Sequence, residues 1–283
     1  MIILSQLSVA KFIISTRKGV IMINKEKYPI LEFDIDKEAK LEPMQKINNN
    51  NNHDKISLPE YCVITYFKSV IEMKKEHKEL IQVSCLASES LDIPIYETKY
   101  KDKQICLVLG CLGAAGAAYE LEQLIALGCK KFVVCGGAGV LQKDISVGHI
   151  ILPCTAVRDE GLSYHYIKPS REISCREETV KKIELLLQQE NIPYIKGKTW
   201  TTDAIFRETR DKIALRVSEG CLTVEMESSA LLAVSQFRNV ELVQLIYGGD
   251  DLSNVIWDGR QCVDRTQIRE ELVNLSLRIC TKL

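Results

Sequence analysis

Two glutamates, Glu225 and Glu227, lie where a strand-like segment runs into a helix-like one. Apolar residues precede them, and Ala230, Leu231 and Val234 follow at helical spacing. An ionised carboxylate accepts hydrogen bonds through two oxygens, so it could hold both hydroxyls of a vicinal diol such as a ribose. The structural alternative is a pair of solvated acids that match the dipole of a first helical turn. By themselves the two residues favour that alternative.

A second acidic pair, Asp250 and Asp251, follows the apolar strand predicted over Val243–Tyr247 and a predicted hinge at Gly248-Gly249. A like-charged neighbour or partial burial raises the pKa of one member of such a pair and makes it a proton donor near neutral pH. Capping of a short turn is the alternative, and it suits Asp251 better than Asp250.

Two glycine-rich loops could bind an anion through backbone N–H groups. Gly110, Gly113 and Gly116 precede a predicted helix, but their GxxGxxG spacing differs from GxGxxG and disfavours a dinucleotide cofactor. The loop Gly136–Gly139 offers successive N–H groups, although tight strand packing would require the same glycines.

Three arginines follow predicted strands and could bind phosphate with the fixed geometry of the guanidinium group. Arg158 begins a polar, aromatic segment that reads as a pocket wall or as a salt-bridged hairpin. Arg207 and Arg210 lie in TTDAIFRETR, where structural pairing with Asp211 or Asp203 is equally consistent with the sequence.

Composition excludes several classes of function. The 283 residues carry 37 Lys and Arg against 38 Asp and Glu, and this balance gives no basic surface for nucleic acid or an anionic membrane. Eleven cysteines without a CxxC pair predict free thiols and a cytoplasmic protein. Four histidines without ligand spacing predict that no metal is bound.

The chain predicts one domain over residues 58–283. Residues 1–21 are interpreted as an upstream extension with no export signal or membrane span. A polar segment over 34–57, which contains the run Asn48–Asn52, is predicted to be a linker. Residues 1–57 together therefore form an N-terminal extension and linker.

Strand and helix signals alternate from there on, which predicts an α/β fold with a central mixed, mostly parallel sheet covered by helices. Ligands bind such sheets beyond the carboxyl ends of the strands, so five segments are expected to converge. These segments are Gly110–Gly116, Gly136–Gly139, Thr201–Arg210, Glu225–Glu227 and Gly248–Asp251. The main predicted strands are Cys62–Phe67, Ile95–Tyr100, Gln104–Leu109, Lys131–Cys135, His149–Val157, Tyr194–Thr201 and Val243–Tyr247; the main predicted helices are Val70–Val83, Glu177–Glu190, Arg210–Glu219 and Thr266–Thr281.

From Cys62 to Leu283 the chain resembles the nucleoside phosphorylase family, which includes uridine phosphorylase, purine nucleoside phosphorylase and methylthioadenosine nucleosidase. The resemblance is nearest to the uridine phosphorylase branch. The segments that carry it are VEMES at 224–228, TTDA at 201–204, GGAG at 136–139, VGHIILP at 147–153 and VRDEGLSYHY at 157–166.

This resemblance implies a mixed sheet partly closed into a barrel, a homo-oligomer (dimer or hexamer), and no cofactor besides phosphate as co-substrate. Glu227 matches the family's ribose-binding glutamate, with Met226 packed against the sugar and Glu225 beside them. Asp250 matches the acid that protonates a purine leaving group. The remaining positions taken as candidates are Gly110, Gly136, Gly137, Arg158, Arg207 and Arg210 for phosphate, and Thr202, Asp203 and Phe206 for the base.

The implied reaction cleaves the N-glycosidic bond of a purine or pyrimidine nucleoside with phosphate, giving free base and ribose 1-phosphate. The chain departs from phosphorolytic members, which usually carry two arginines and a loop hydroxyl in the phosphate site. In the segment TYFKSV at the end of the first strand, Lys68 is the only cation. Val134 stands where an arginine is usual, and Gly137 replaces the hydroxyl. A hydrolytic nucleosidase and a nucleoside-binding protein without turnover therefore remain alternatives.

Overall fold

A computed structural model describes residues 14–16, 19–21, 23, 25–34, 38–50 and 56–283 of the chain. The interpretation of residues 1–21 as an extension falls largely outside these residues. The strands are β1 (Ile14–Thr16), β2 (Gly19–Ile21), β3 (Tyr61–Thr65), β4 (Ile81–Ala87), β5 (Asp92–Tyr100), β6 (Lys103–Leu109), β7 (Lys131–Val140), β8 (Ile150–Asp159), β9 (Glu172–Ser174), β10 (Ile195–Thr202), β11 (Cys221–Glu225) and β12 (Glu241–Asp251). The helices are α1 (Pro43–Asn50), α2 (Lys68–Glu76), α3 (Ala114–Ala126), α4 (Glu177–Gln189), α5 (Arg210–Ser218), α6 (Ser228–Arg238) and α7 (Thr266–Cys280).

In the described part of the chain, ten strands form one mixed sheet in the order β11-β10-β8-β12-β7-β3-β6-β5-β4, with β9 paired to β8. Parallel pairing joins β6, β3, β7 and β12, and it also joins β8, β10 and β11. Antiparallel pairing joins β4, β5 and β6 at one edge and β12 to β8 within the barrel. The predicted α/β class with a mixed sheet is confirmed.

One half of the sheet closes into a barrel of five strands, β7, β12, β8, β10 and β11. Closure comes from antiparallel pairing of β11 with β7, where Val224 lies opposite Gly139. A Cβ atom at position 139 would lie 3.1 Å from Val224 and would also meet the side chain of Leu252. Glycine at this position therefore lets the two strands approach closely enough to pair.

Helices cover both faces of the sheet, which explains why its central strands are apolar throughout. Successive residues of a strand point to opposite faces. In β7, Phe132 and Val134 join the cluster beneath α3 and α6, whereas Val133 and Cys135 join the cluster beneath α7. All four side chains are fully buried.

Three of the predicted elements differ from the structure. The predicted loop Gly136–Gly139 is the last part of β7, which runs to Val140. The helix predicted over Val70–Val83 is the shorter α2, because Lys78 takes a left-handed conformation (φ 59°) that ends the helical path. The residues after it form the edge strand β4. Part of the segment predicted to be a linker is the helix α1, whose Ile47 packs into the core.

Candidate active site

A cleft of about 210 Å³ lies at the rim of the barrel and is lined both by strand residues and by the segments that follow strands. Each of the five segments expected to converge contributes at least one residue to it, so the predicted convergence is confirmed. Its lining residues are Tyr66, Leu112, Gly137, Ala138, Gly139, Ile205, Glu208, Val224, Glu225, Met226, Glu227, Gln244, Asp250 and Leu252.

Glu225 caps the helix that follows it. One carboxylate oxygen accepts from the backbone N–H groups of Glu227 (2.8 Å) and Ser228 (2.6 Å), and the other accepts from the Thr201 hydroxyl (2.6 Å). These bonds satisfy free N–H groups at the start of α6. Both oxygens of Glu225 are thus engaged within the protein, so its contribution is to position Glu227 and Met226.

The Glu227 carboxylate faces the cleft and is 6% exposed. Its Oε1 accepts from the backbone N–H of Gly113 at 2.7 Å, which ties it to the start of α3. Burial, and then the nearby Glu225 charge, raise the pKa of Glu227 to about 8. A ligand that donates two hydrogen bonds would stabilise the ionised form and lower this pKa.

Asp250 lies within β12, because the strand extends to Asp251 rather than ending before a hinge at Gly248-Gly249. The two glycines allow close packing instead: a Cβ atom at position 249 would lie 3.1 Å from the carbonyl oxygen of Ala138 in β7. The indole N–H of Trp257 donates to Asp250 Oδ2 at 2.7 Å. Asp250 therefore enters the cleft from a rigid strand and is held from the solvent side.

Asp251 has the structural role that the sequence favoured for it. Its carboxylate accepts from the Ser253 backbone N–H (2.8 Å), the Asn254 amide (3.1 Å) and Arg260 (2.8 Å). Although burial opposes ionisation, the bonds from Ser253 and Arg260 hold the pKa of Asp251 below its usual value.

A further acid, Glu208, lies in the cleft, and the sequence analysis did not single it out. Burial, and then the charge of Asp250, raise the pKa of Glu208 to about 7. The cleft thus contains a carboxyl group that changes charge near neutral pH, close to Asp250. The only sequence signal for Glu208 was its place in the segment between β10 and α5.

Gly110, Gly136 and Gly137 were predicted to bind phosphate through their backbone N–H groups, but a side chain already covers two of them. The ring of Tyr66 covers Gly110 and Gly136: Cβ atoms at these positions would lie 2.8 Å and 3.1 Å from ring carbons. An anion cannot approach the backbone where the ring already lies. Of the three glycines, only Gly137 lines the cleft.

Arg158 is not brought into the cleft. It is 4% exposed, and its guanidinium group donates to Ser163 (2.8 Å), Ser170 (2.8 Å), and the carbonyl oxygens of Lys168 (2.8 Å) and Ile167 (3.2 Å). These bonds use the donors that a phosphate would need. The alternative of a folded hairpin around this residue describes its surroundings better than a pocket wall does.

The other predicted binding residues also lie outside the cleft lining. Arg207 and Arg210 are exposed on the segment that leads into α5, and Phe206 is 95% exposed. Thr202 is buried and accepts from the Ala204 N–H at 3.2 Å, and Asp203 accepts from the Gly161 N–H at 2.9 Å. From this segment the cleft takes Ile205 and Glu208 instead.

The described lining of the cleft contains four carboxyl side chains and no lysine or arginine. A site with this charge favours neutral or cationic ligand groups over a phosphate dianion. Among the described residues, no group of three or more metal-ligating side chains could hold a metal ion, and no helix is long and apolar enough to cross a bilayer.

The family model of the phosphorylase superfamily matches residues 60–270, which includes every segment of the cleft. The chain belongs to the phosphorylase superfamily. The resemblance recognised from the sequence is thereby confirmed.

Named relatives and solved structures resemble the chain at low sequence identity. A guanosine phosphorylase of Halorubrum lacusprofundi is 22% identical over 162 residues, covering 57% of this chain and 67% of that protein. The structure of a uridine phosphorylase from Vibrio fischeri superposes with a TM-score of 0.66 at 22% identity, covering 81% of this chain and 93% of that one. An AMP nucleosidase from Bacteroides thetaiotaomicron gives a TM-score of 0.66 at 18% identity, covering 84% and 94%.

Besides Glu208, the sequence did not single out Tyr66 and Gln244, which line the cleft, or Trp257, which donates to Asp250. Tyr66 follows β3 directly, and position after a strand was the signal that could have identified it. Trp257 had no such signal, because its contact with Asp250 depends on how the loop after β12 folds back.

Proposed function

We propose that the protein cleaves the N-glycosidic bond of a purine or pyrimidine nucleoside and releases the free base. The observation that carries this proposal is the placement of Glu227 and Asp250 in one cleft, the first from the start of α6 and the second from β12. Bond cleavage builds positive charge on the sugar and negative charge on the base. An anionic carboxylate beside the sugar and a proton donor beside the base stabilise both changes.

Glu227 binds the ribose hydroxyls in this proposal, and Met226 packs against the sugar. Glu225 positions both through the cap of α6. Asp250 donates a proton to the departing base, and its charge contributes to the raised pKa of the neighbouring Glu208. The exposed apolar residues Ile205 and Leu112, which line the cleft, offer contacts for a flat heterocycle.

Phosphate is the second substrate expected for a phosphorylase, and its attack at C1′ would give ribose 1-phosphate. No cofactor is required for this reaction. We further propose a cytoplasmic homo-oligomer, dimer or hexamer, in which a neighbouring subunit could supply the cation that this cleft does not.

Water is a second candidate nucleophile, and two observations favour it specifically. The described cleft lining has no lysine or arginine, and the Tyr66 ring covers two of the glycines that were expected to bind phosphate. A hydrolytic reaction needs neither a cation nor exposed backbone N–H groups, because its nucleophile is neutral.

Base release from a panel of nucleosides, measured with and without phosphate, tests the proposal. Phosphate-dependent release establishes phosphorolysis, and release in phosphate-free buffer establishes hydrolysis. A folded sample that binds a nucleoside but releases no base under either condition would refute the enzymatic proposal and leave a binding protein.

A further inference from the structure

One of the four carboxyl side chains that line the cleft has no partner within the protein. Glu225, Glu227 and Asp250 each accept a hydrogen bond from another group of the chain. Glu208 accepts none and forms no ion pair with any residue that the structure describes. Its carboxyl group is therefore available to a ligand in the cleft.

Glu208 is half-buried, although its sequence neighbours Arg207 and Thr209 are both exposed. Two residues before it, Phe206 is 95% exposed. The segment thus turns an apolar ring to solvent and a carboxyl group into the cleft, which is the reverse of what burial by itself favours. Because a carboxylate withdrawn from water without a partner costs free energy, a ligand that brings hydrogen-bond donors to Glu208 is favoured.

Turns hold the backbone on both sides of Glu208. Before it, Ile205–Arg207 forms a 3-10 turn, and the Glu208 N–H donates to the Ile205 carbonyl oxygen at 3.4 Å. After it, the Thr209 hydroxyl accepts from the Lys212 N–H at the start of α5. The Glu208 side chain therefore enters the cleft from a fixed point of the backbone.

Two neighbours place Glu208 at the base end of the cleft. The charge of Asp250, which the proposed function puts beside the departing base, acts on the Glu208 carboxyl group and helps to raise its pKa. Ile205, from the same turn, lines the cleft with an apolar side chain that suits the face of a heterocycle. Since Glu227 takes the ribose in the proposed function, the edge of the base is the part of the nucleoside that faces Glu208.

The hydrogen-bonding character of the lining decides which base edge fits. An ionised carboxylate only accepts hydrogen bonds, so it attracts an amino group and repels a carbonyl oxygen. The described lining contains no lysine or arginine that could donate to a carbonyl group of the base. Adenine, guanine and cytosine carry an exocyclic amino group, whereas hypoxanthine and uracil do not.

We propose that Glu208 selects nucleosides whose base carries an exocyclic amino group, by accepting a hydrogen bond from that group. This inference rests on the proposed cleavage of the N-glycosidic bond and names the substrate class of that same site. Glu208 determines specificity, and Asp250 keeps the role of proton donor. The amino group supplies the partner that the Glu208 carboxylate lacks within the protein.

The ionisation of Glu208 makes this preference depend on pH. Burial, and then the charge of Asp250 on β12, raise the pKa of Glu208 to about 7. The other acids of the lining, Glu225 and Glu227, do not contribute to this shift. The carboxyl group is thus mostly ionised at about pH 8 and mostly protonated at about pH 6, where its own O–H can donate to a carbonyl oxygen. The preference for amino-bearing bases should therefore rise with pH.

The test measures kcat/KM for base release at about pH 8, in the presence of phosphate, with three pairs of nucleosides. The pairs are adenosine with inosine, guanosine with inosine, and cytidine with uridine. Wild type should favour the amino-bearing member by about tenfold or more in the pair whose amino group reaches Glu208. In Glu208→Gln a neutral amide replaces the charge and adds a donor, so this preference should fall by about tenfold. Comparing the two proteins on the same pair cancels intrinsic differences in reactivity between the nucleosides.

Asp211→Asn is the matched control. Asp211 is exposed in the first turn of α5, three residues after Glu208, and it does not line the cleft. This substitution removes the same charge from the same segment. Because an exposed charge is screened by salt, the preference should stay within about twofold of wild type.

An absence of amino preference in all three pairs would overturn the assignment, and so would a preference that Glu208→Gln leaves unchanged. If Glu208→Gln does not fold, the wild-type preference at about pH 6 and about pH 8 decides: it should rise several-fold, and an equal preference at both values overturns the assignment. Base release without amino preference leaves the proposed function standing. No release from any nucleoside defeats the proposed function, and this inference with it.

Discussion

Glu120 should make the protein less stable as the pH rises, and Glu120→Gln should remove that part of the dependence. Burial raises the pKa of Glu120 from its ordinary 4.5 to about 8, although the Cys111 N–H opposes the shift. Between these two values the folded state binds more protons than the unfolded state, so the free energy of unfolding falls as the pH increases.

The size of the effect follows from this shift. From about pH 5 to about pH 7 most of the unfolded chain has already lost the Glu120 proton, whereas the folded chain keeps it. With roughly 1.4 kcal/mol for each pH unit, Glu120 by itself lowers the free energy of unfolding by about 2–3 kcal/mol over this range. Glutamine at position 120 is neutral throughout and can still accept from the Cys111 N–H.

Urea unfolding at a series of pH values measures this difference. Wild type should lose about 2–3 kcal/mol more than Glu120→Gln between the two pH values, whatever the other acids contribute. Glu178→Gln, at an exposed position on α4, removes the same charge from the unfolded chain and should follow wild type. Identical slopes for wild type and Glu120→Gln would refute the burial argument.

Four other substitutions test the assignments in the site. Asp250→Asn should lower kcat about 10²–10⁴-fold with binding retained, as measured by base release, and unchanged turnover would refute the acid role. Glu227→Ala should weaken nucleosides about 10–100-fold more than free bases in calorimetric titrations, since two hydrogen bonds to a charged group are lost; equal losses would contradict ribose binding. Gly110→Ala should lower the free energy of unfolding by about 1–3 kcal/mol, because the new Cβ would press on the Tyr66 ring. Adding Tyr66→Ala to the Gly110→Ala chain removes this clash and should restore part of the lost stability. Arg158→Gln should destabilise by about 2–4 kcal/mol without changing any phosphate dependence of turnover, and a specific loss of phosphate dependence would return Arg158 to the active site.

The alternation of apolar strands and amphipathic helices was sufficient to predict the class of fold. Strands such as β7 are apolar on both faces because helices cover both sides of the sheet, and this is visible in the sequence. The end of α2 could not be predicted from the sequence, because Lys78 takes a left-handed conformation that is usually signalled by a glycine. The antiparallel pairing that closes the barrel between β11 and β7 depends on contacts distant in sequence.

The convergence of five segments on one rim was predictable, because the carboxyl ends of parallel strands share an edge. The identity of the contacting side chains was less so. Gly110 and Gly136 were expected to admit an anion, whereas in the structure they accommodate the ring of Tyr66. A glycine in the sequence indicates that another group packs closely against the backbone, but only the folded structure shows whether that group is a ligand or a side chain.

The sequence by itself determined the α/β class, the five segments that meet at the rim, and the acids Glu227 and Asp250 that lie there. These features depend on local periodicity and on position after a strand, both of which are local properties of the chain. Tertiary structure decided that Glu225 caps a helix, that Arg158 is used internally, and that the Glu208 carboxyl group lies in the cleft. Those roles depend on which distant groups satisfy each donor and acceptor, and hydrogen-bond satisfaction is a property of the folded chain.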